Sequence, residues 1–176
     1  MIISERKNFE RKFFKNLMGK SSSIEMQNVG NNVKKYVDSI FSKYLKNKYI
    51  GIYWPLKNEI DIRNLNEKYS LALPRCEKNK ELIFCEWKSN QLTKDSEGIL
   101  SPDPSLKLDY KEISMIFIPC LAVDKNLTRL GYGGGYFDRL REDKNWREIP
   151  CIGVLTSNCV SNNLLARAEW DIPLSG

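Results

Sequence analysis

The chain contains no histidine among its 176 residues. That absence removes the side chain best suited to acid–base work at neutral pH. With it go Ser-His-Asp and Cys-His nucleophile systems and most zinc enzymes. Cysteine occurs five times, at Cys76, Cys85, Cys120, Cys151 and Cys159, an odd number and never at C-x-x-C spacing. Cysteines flanked by apolar residues, as in Ile118-Pro119-Cys120-Leu121, read as small buried hydrophobes and not as a disulfide framework. Long apolar runs are missing too. The longest, Met115–Val123, is interrupted by Pro119 and falls well short of the roughly 20 residues that a membrane helix needs. No signal-peptide core follows Met1, so a cytoplasmic, reducing setting without a membrane partner is expected.

What remains is ordinary for a folded chain: 41% hydrophobic and 28% charged residues. This length buries a sizeable core, and one domain over residues 1–176 is expected. The net charge of +6 is unevenly spread. Residues 1–48 hold 11 Lys/Arg against 4 Asp/Glu, whereas the remaining 128 residues hold 17 against 18. A basic N-terminal quarter suits an anion such as nucleic acid, acidic lipid or a polyphosphate, or is a solvated helical face.

Phe9, Phe13 and Leu17, four apart, predict a basic helix over residues 4–18. The cluster Ser21-Ser22-Ser23 caps a second, in which Ile24, Val33, Val37, Ile40, Phe41 and Tyr44 recur, with a break near Gly30. Strands are expected at 49–54, 70–74, 82–87, 114–119 and 151–155, with a short helix at 61–68 and a long loop over 88–112. Helices alternating with short apolar strands predict an α/β layered domain.

The informative segment is Arg129-Leu130-Gly131-Tyr132-Gly133-Gly134-Gly135-Tyr136-Phe137-Asp138-Arg139. Four glycines in five residues stand after a buried strand and before a predicted helix. Glycine allows close backbone approach, so successive N–H groups can converge on a phosphate. Arg129 and Arg139 bracket the loop with positive charge, and Asp138 is a candidate Mg²⁺ ligand, since that ion takes one or two carboxylates besides phosphate oxygens. Tyr136 stands where both the Walker A and the Rossmann patterns need glycine, so neither applies.

The segment Arg129–Arg139 resembles the signature of the 5-formyltetrahydrofolate cyclo-ligase family, also called 5,10-methenyltetrahydrofolate synthetase. Further blocks follow the family's order: an approximate basic motif Lys7-Asn-Phe-Glu-Arg11, then Tyr53-Trp-Pro55 with Glu59-Ile-Asp61, and Trp170-Asp171-Ile-Pro-Leu174. The resemblance implies a three-layer α/β/α fold with a mixed or mostly parallel sheet. It implies closure of 5-formyltetrahydrofolate to 5,10-methenyltetrahydrofolate, driven by ATP and Mg²⁺, with release of ADP and phosphate. The formyl oxygen attacks the γ-phosphate, N10 captures the activated carbon, and phosphate leaves.

Carried over position by position, the resemblance puts ATP on Lys7, Arg11 and the segment Arg129, Leu130, Gly131, Tyr132, Gly133, Gly134, Gly135, Tyr136, Phe137 and Asp138. Arg129, Tyr136 and Asp138 carry the reaction, and Asp138 and Asp171 hold Mg²⁺. Glu59 meets the pterin, whose amino group and ring N–H match two carboxylate oxygens, and Tyr53 and Trp87 are candidates to stack on the folate. The chain departs from the family in having Gly134 where many members have Lys, Phe137 for a Tyr, and Ser101-Pro102 for Glu-Pro. It also stops soon after Leu174, where members commonly add a strand. A monomer is expected. A phosphosugar isomerase-like protein and a nucleic-acid-binding module are the competing readings; the second lacks a recognisable RNA- or DNA-binding motif.

Overall fold

The computed structural model describes residues 2–40, 48–88 and 91–176. Helix α1 spans Ile3–Met18, as predicted, but turns a different face inward. Phe14 is buried, Leu17 and Met18 are half-buried, and Lys7, Glu10 and Arg11 continue the same stripe toward the N-terminus. Phe9 and Phe13 point to solvent, 67% and 53% exposed. The inward stripe keeps the helical spacing but is apolar only in its second half; its first half is charged.

Helix α2 (Ser23–Ile40) begins with a capping box: Ser22 Oγ accepts from Glu25 N at 3.2 Å, and Glu25 Oε2 accepts from Ser22 N at 2.8 Å. It runs unbroken through Gly30. A Cβ on Gly30 would stand 3.1 Å from the Asp61 carbonyl, so this glycine marks tight packing and not a break. Phe41 and Tyr44, expected in the same helix, lie outside the described residues.

The strands in chain order are β1 (Tyr49–Gly51), β2 (Leu71–Cys76), β3 (Leu82–Glu86), β4 (Thr93–Lys94), β5 (Leu100–Ser101), β6 (Ile113–Pro119), β7 (Ala122–Asp124), β8 (Arg129–Leu130), β9 (Cys151–Val154) and β10 (Val160–Ser161). Helices α3 (Tyr136–Leu140) and α4 (Lys144–Glu148) lie between β8 and β9. The short helix expected at 61–68 is a 3₁₀ helix over Arg63–Glu67. The predicted loop 88–112 holds the hairpin β4–β5 and two further 3₁₀ turns.

The central sheet runs β3-β2-β1-β6-β9. All its neighbours are parallel except the edge hairpin β2–β3. Alternation sorts its side chains onto two faces. Ile50, Leu71, Leu73, Met115 and Phe117 pack with Val33 and Val37 of α2. Ala72, Phe84, Ile116, Ile118 and Cys151 pack with Phe137 and Leu140 of α3 and Trp146 of α4. This is the expected three-layer arrangement. A second sheet, β10-β7-β8, carries Ala122 and Leu130 into a small core with Phe14 of α1. Chain order reverses between β1 and β6. In parallel α/β sheets ligands bind beyond the strand ends at such a switch point.

Candidate functional site

A cleft of about 370 Å³ opens at that point. Its floor comes from residues after β1 (Tyr53, Trp54, Leu56 and Glu59) and from Pro119 at the end of β6. One wall is Lys7 and Arg11 of α1 with Trp170 and Asp171. The other is the glycine segment from Arg129 to Asp138, every residue of which lines the cleft. Lys7 and Arg11, in the charged half of the α1 stripe, thus line a cleft and not the core, which is why apolar periodicity picked the wrong face. Of the predicted site residues Trp87 alone lies outside the lining. It stands just past β3, its ring edge-on to Trp54 at 6.2 Å, and Trp54 lines the cleft instead.

The glycine segment bends as a phosphate cradle requires. Gly133 has φ +107° and Gly135 has φ +69°, conformations that L side chains rarely adopt. The helix that follows is a single turn. Arg11 Nε donates to the Gly131 carbonyl at 3.0 Å, and Arg139 Nη2 to the Gly134 carbonyl at 2.7 Å. Arg129 is nearly buried at the base of the loop. It donates to the Pro119 carbonyl at 3.3 Å and to Asp138 Oδ1 at 3.1 Å, with its guanidinium 5.6 Å from the centre of the Phe137 ring. The Tyr136 hydroxyl donates to Glu97 Oε1, and that bond is the main reason its pKa is pushed up to about 12.

Glu59 is held differently. Its side chain folds back on the turn Leu56–Glu59, where Asn58 takes φ +67°, so that Oε2 accepts from Leu56 N at 2.7 Å. The residue is 7% exposed, and Oε1 is buried without a hydrogen-bond partner among the described residues. Burial raises the Glu59 pKa above its ordinary value, and the Leu56 N–H and the Tyr132 hydroxyl offset part of the shift. A buried carboxylate oxygen left unpaired is uncommon, because an unmade hydrogen bond there costs about 1–3 kcal/mol or more. Tyr53 is a core residue as well as part of the cleft floor. It is 3% exposed and donates to the Ile60 carbonyl at 2.7 Å.

The two candidate metal ligands are both on the cleft, and each already has a cationic neighbour. Asp171 Oδ2 accepts from Lys7 Nζ and from Ala168 N, the latter at 2.6 Å. Asp138 Oδ1 accepts from Arg129. Each carboxylate keeps one oxygen free of partners among the described residues. No group of three or more His, Cys, Asp or Glu that could hold a metal occurs among them. This hard, sparse donor set fits Mg²⁺, which takes its remaining ligands from phosphate and water.

The tip of the β4–β5 hairpin supplies Asp95, Glu97 and Ile99 to the cleft, which the sequence reading missed. The available signal was turn chemistry. Asp95 Oδ1 accepts from the backbone of Glu97 and Ile99 at 2.9 Å each, and Gly98 takes φ +77°.

Comparison with known proteins gives the family and the fold. The model of the family described as 5-formyltetrahydrofolate cyclo-ligase matches residues 3–175. The 5-formyltetrahydrofolate cyclo-ligase of Haemophilus influenzae is 29% identical over 138 residues, covering 72% of this chain and 73% of its own. The NMR structure of 5,10-methenyltetrahydrofolate synthetase from Aquifex aeolicus superposes with a TM-score of 0.77 at 27% identity, over 96% of this chain and 86% of that one. The 5,10-methenyltetrahydrofolate synthetase of Mycoplasma pneumoniae gives 0.71 at 26% identity, over 96% and 94%.

Proposed function

The chain belongs to the 5-formyltetrahydrofolate cyclo-ligase family, and from that premise we propose that its cleft closes 5-formyltetrahydrofolate to 5,10-methenyltetrahydrofolate, driven by ATP with Mg²⁺. The observation that carries the reading is the division of the cleft. A glycine cradle flanked by Lys7, Arg11 and Arg129 faces a buried carboxylate, Glu59, whose Oε1 has no partner among the described residues. The first suits a polyphosphate and the second a neutral heterocycle that brings its own N–H donors.

The substrate supplies both nucleophiles, so the protein's part is positioning and charge neutralisation. The formyl oxygen bonds to the γ-phosphorus as the bond to ADP breaks. Arg129, Lys7 and Arg11 offset the charge on the phosphoryl oxygens. N10 then bonds to the activated formyl carbon and loses its proton, and phosphate departs with the former formyl oxygen. Asp138 and Asp171 would hold Mg²⁺, which would supply positive charge to neutralise the phosphates. Tyr136, at the rim of the cradle, borders the transferring phosphoryl group. No step needs histidine, which the chain lacks. Five free, buried cysteines suit a reducing compartment, the cytoplasm in this reading.

The basic residues of α1 that matter most to this reading face the cleft, not open solvent, which argues against a nucleic-acid surface. No helix among the described residues is long and apolar enough to cross a membrane. Thermal unfolding with single ligands tests the proposal. MgATP and 5-formyltetrahydrofolate should each raise the midpoint, since a ligand at 100 times its Kd stabilises by about 2.7 kcal/mol. Stabilisation by a sugar phosphate alone, or a salt-sensitive gain with an oligonucleotide, would contradict it.

A further inference from the structure

Arg141 closes the C-terminal end of α3, one turn beyond Phe137 and Asp138. It is 5% exposed, and its guanidinium donates only to uncharged carbonyls, from Nη1 to Ile172 O at 2.9 Å and from Nη2 to Pro173 O at 2.8 Å. Nε is buried and has no partner among the described residues. A buried cation held in this way costs more than an apolar side chain of similar volume would. Packing therefore does not explain an arginine here, and the segment it grips becomes the point of interest.

Ile172 and Pro173 directly follow Asp171, on the cleft wall. That stretch has no regular secondary structure, and arginines hold its carbonyls: Arg167 Nε donates to Asp171 O at 3.1 Å, and Arg141 takes the next two. The Asp171 side chain in turn accepts from Lys7 of α1. A continuous chain of bonds thus runs from α3 through Arg141, the 172–173 backbone, Asp171 and Lys7 to α1. The bond from Arg11 to Gly131 joins α1 to the other end of the glycine loop. Arg141 is also near enough to Asp138 and Arg129 to feel the charge of both.

We propose that Arg141 is a positioning residue for the nucleotide half of the cleft: by clamping Ile172 and Pro173 to α3, it fixes the Asp171 carboxylate, and through it Lys7, opposite the glycine loop. This rests on the reading of that half as the ATP site. Arg141 touches neither ligand. Its effect should fall on ATP and Mg²⁺ and spare the folate, whose carboxylate contact lies on the turn Leu56–Glu59.

The test is calorimetric titration of MgATP and of 5-formyltetrahydrofolate, separately, onto wild type, Arg141→Met and Arg141→Lys, with steady-state kinetics alongside. Arg141→Met leaves two carbonyls unpaired. It should raise the Kd and KM for ATP about tenfold, roughly 1.4 kcal/mol, and raise the Mg²⁺ requirement, with folate Kd unchanged. Arg141→Lys keeps the charge and one donor and should recover part of the loss. Unchanged ATP affinity in a folded variant, or equal losses for both ligands, would overturn the role. If Arg141→Met does not fold, the Lys variant decides by the same criterion. Wild-type protein that bound no ATP would overturn the nucleotide reading and this inference with it, whereas normal wild-type binding with unaffected variants would overturn the inference alone.

Discussion

Arg11 Nε donates to the carbonyl of Gly131 at 3.0 Å, joining the first helix to a loop 120 residues later in the chain. Arg11 Nη1 also donates to Asn8 Oδ1 at 2.9 Å, which orients the guanidinium against the cradle. Two segments far apart in sequence thus form one wall of the cleft, and the next glycine along the loop faces the same guanidinium.

That glycine, Gly133, has φ +107°, and a Cβ there would lie 3.6 Å from Arg11 Cζ. Gly133→Val would strain the backbone and crowd the arginine. The expected outcome is a folded protein, since the residue is exposed, with ATP affinity lowered at least tenfold. Calorimetric titration with MgATP checks it. Wild-type affinity would remove the loop from the nucleotide site.

Asp138→Asn removes a charge from the cradle and weakens the bond from Arg129. Turnover should fall, with partial recovery at raised magnesium, because a neutral amide is a poorer ligand for a hard cation. Activity measured across a magnesium series decides this. A wild-type magnesium midpoint would place Asp138 outside the metal's shell.

Glu59 yields a prediction about pH. Burial raises its pKa in the folded state above the unfolded value. The folded protein therefore binds that proton more tightly. The associated stability is fully present below the ordinary Glu value and is lost as pH rises through the raised folded value. Glu59→Gln, which cannot titrate, should gain in melting temperature relative to wild type as pH rises from acidic to neutral. At neutral pH it should bind 5-formyltetrahydrofolate about tenfold to a few hundredfold more weakly, since a charge-assisted pair is worth roughly 1.5–3 kcal/mol. A pH-independent gap in melting temperature would contradict the buried charge, and unchanged folate affinity would contradict the pterin contact.

The thiols should be inert. All five cysteines are buried, and burial pushes Cys76 and Cys120 up to about 12 and Cys85 to about 11. Thiolate is the reactive form, so an aromatic disulfide reagent should label none of them rapidly in the native protein and all five after denaturation. Rapid native labelling of any one would show an accessible thiol that the fold does not provide.

The glycine segment was legible in the sequence because Gly133 and Gly135 hold positive φ, which residues with a side chain rarely adopt, and the strands because buried parallel strands leave apolar runs. Other features left weaker traces. The inward face of α1 combines Phe14 with Lys7 and Arg11, so a search for apolar periodicity chose the exposed Phe9 and Phe13. Strands of two residues, β4 and β5, are too short to show alternation, and the hairpin that brings Glu97 to Tyr136 read as loop. Trp87 was named as a stacking candidate and Trp54 was not, although the two rings pack together, because sequence does not reveal which of them lines the cleft. Glu59 stood out only through the family resemblance, and nothing local marked Arg141, whose partners lie about 30 residues away.

The central claim is that one cleft joins a phosphate cradle to a folate carboxylate for ring closure. Mixing purified protein with 5-formyltetrahydrofolate and MgATP, and following the near-ultraviolet absorbance of the methenyl product, tests it most directly. The account predicts absorbance that rises only when both substrates are present, with one ADP and one phosphate formed per product. Folded protein that binds both ligands yet yields no methenyl product, or yields it equally well without ATP, would contradict it.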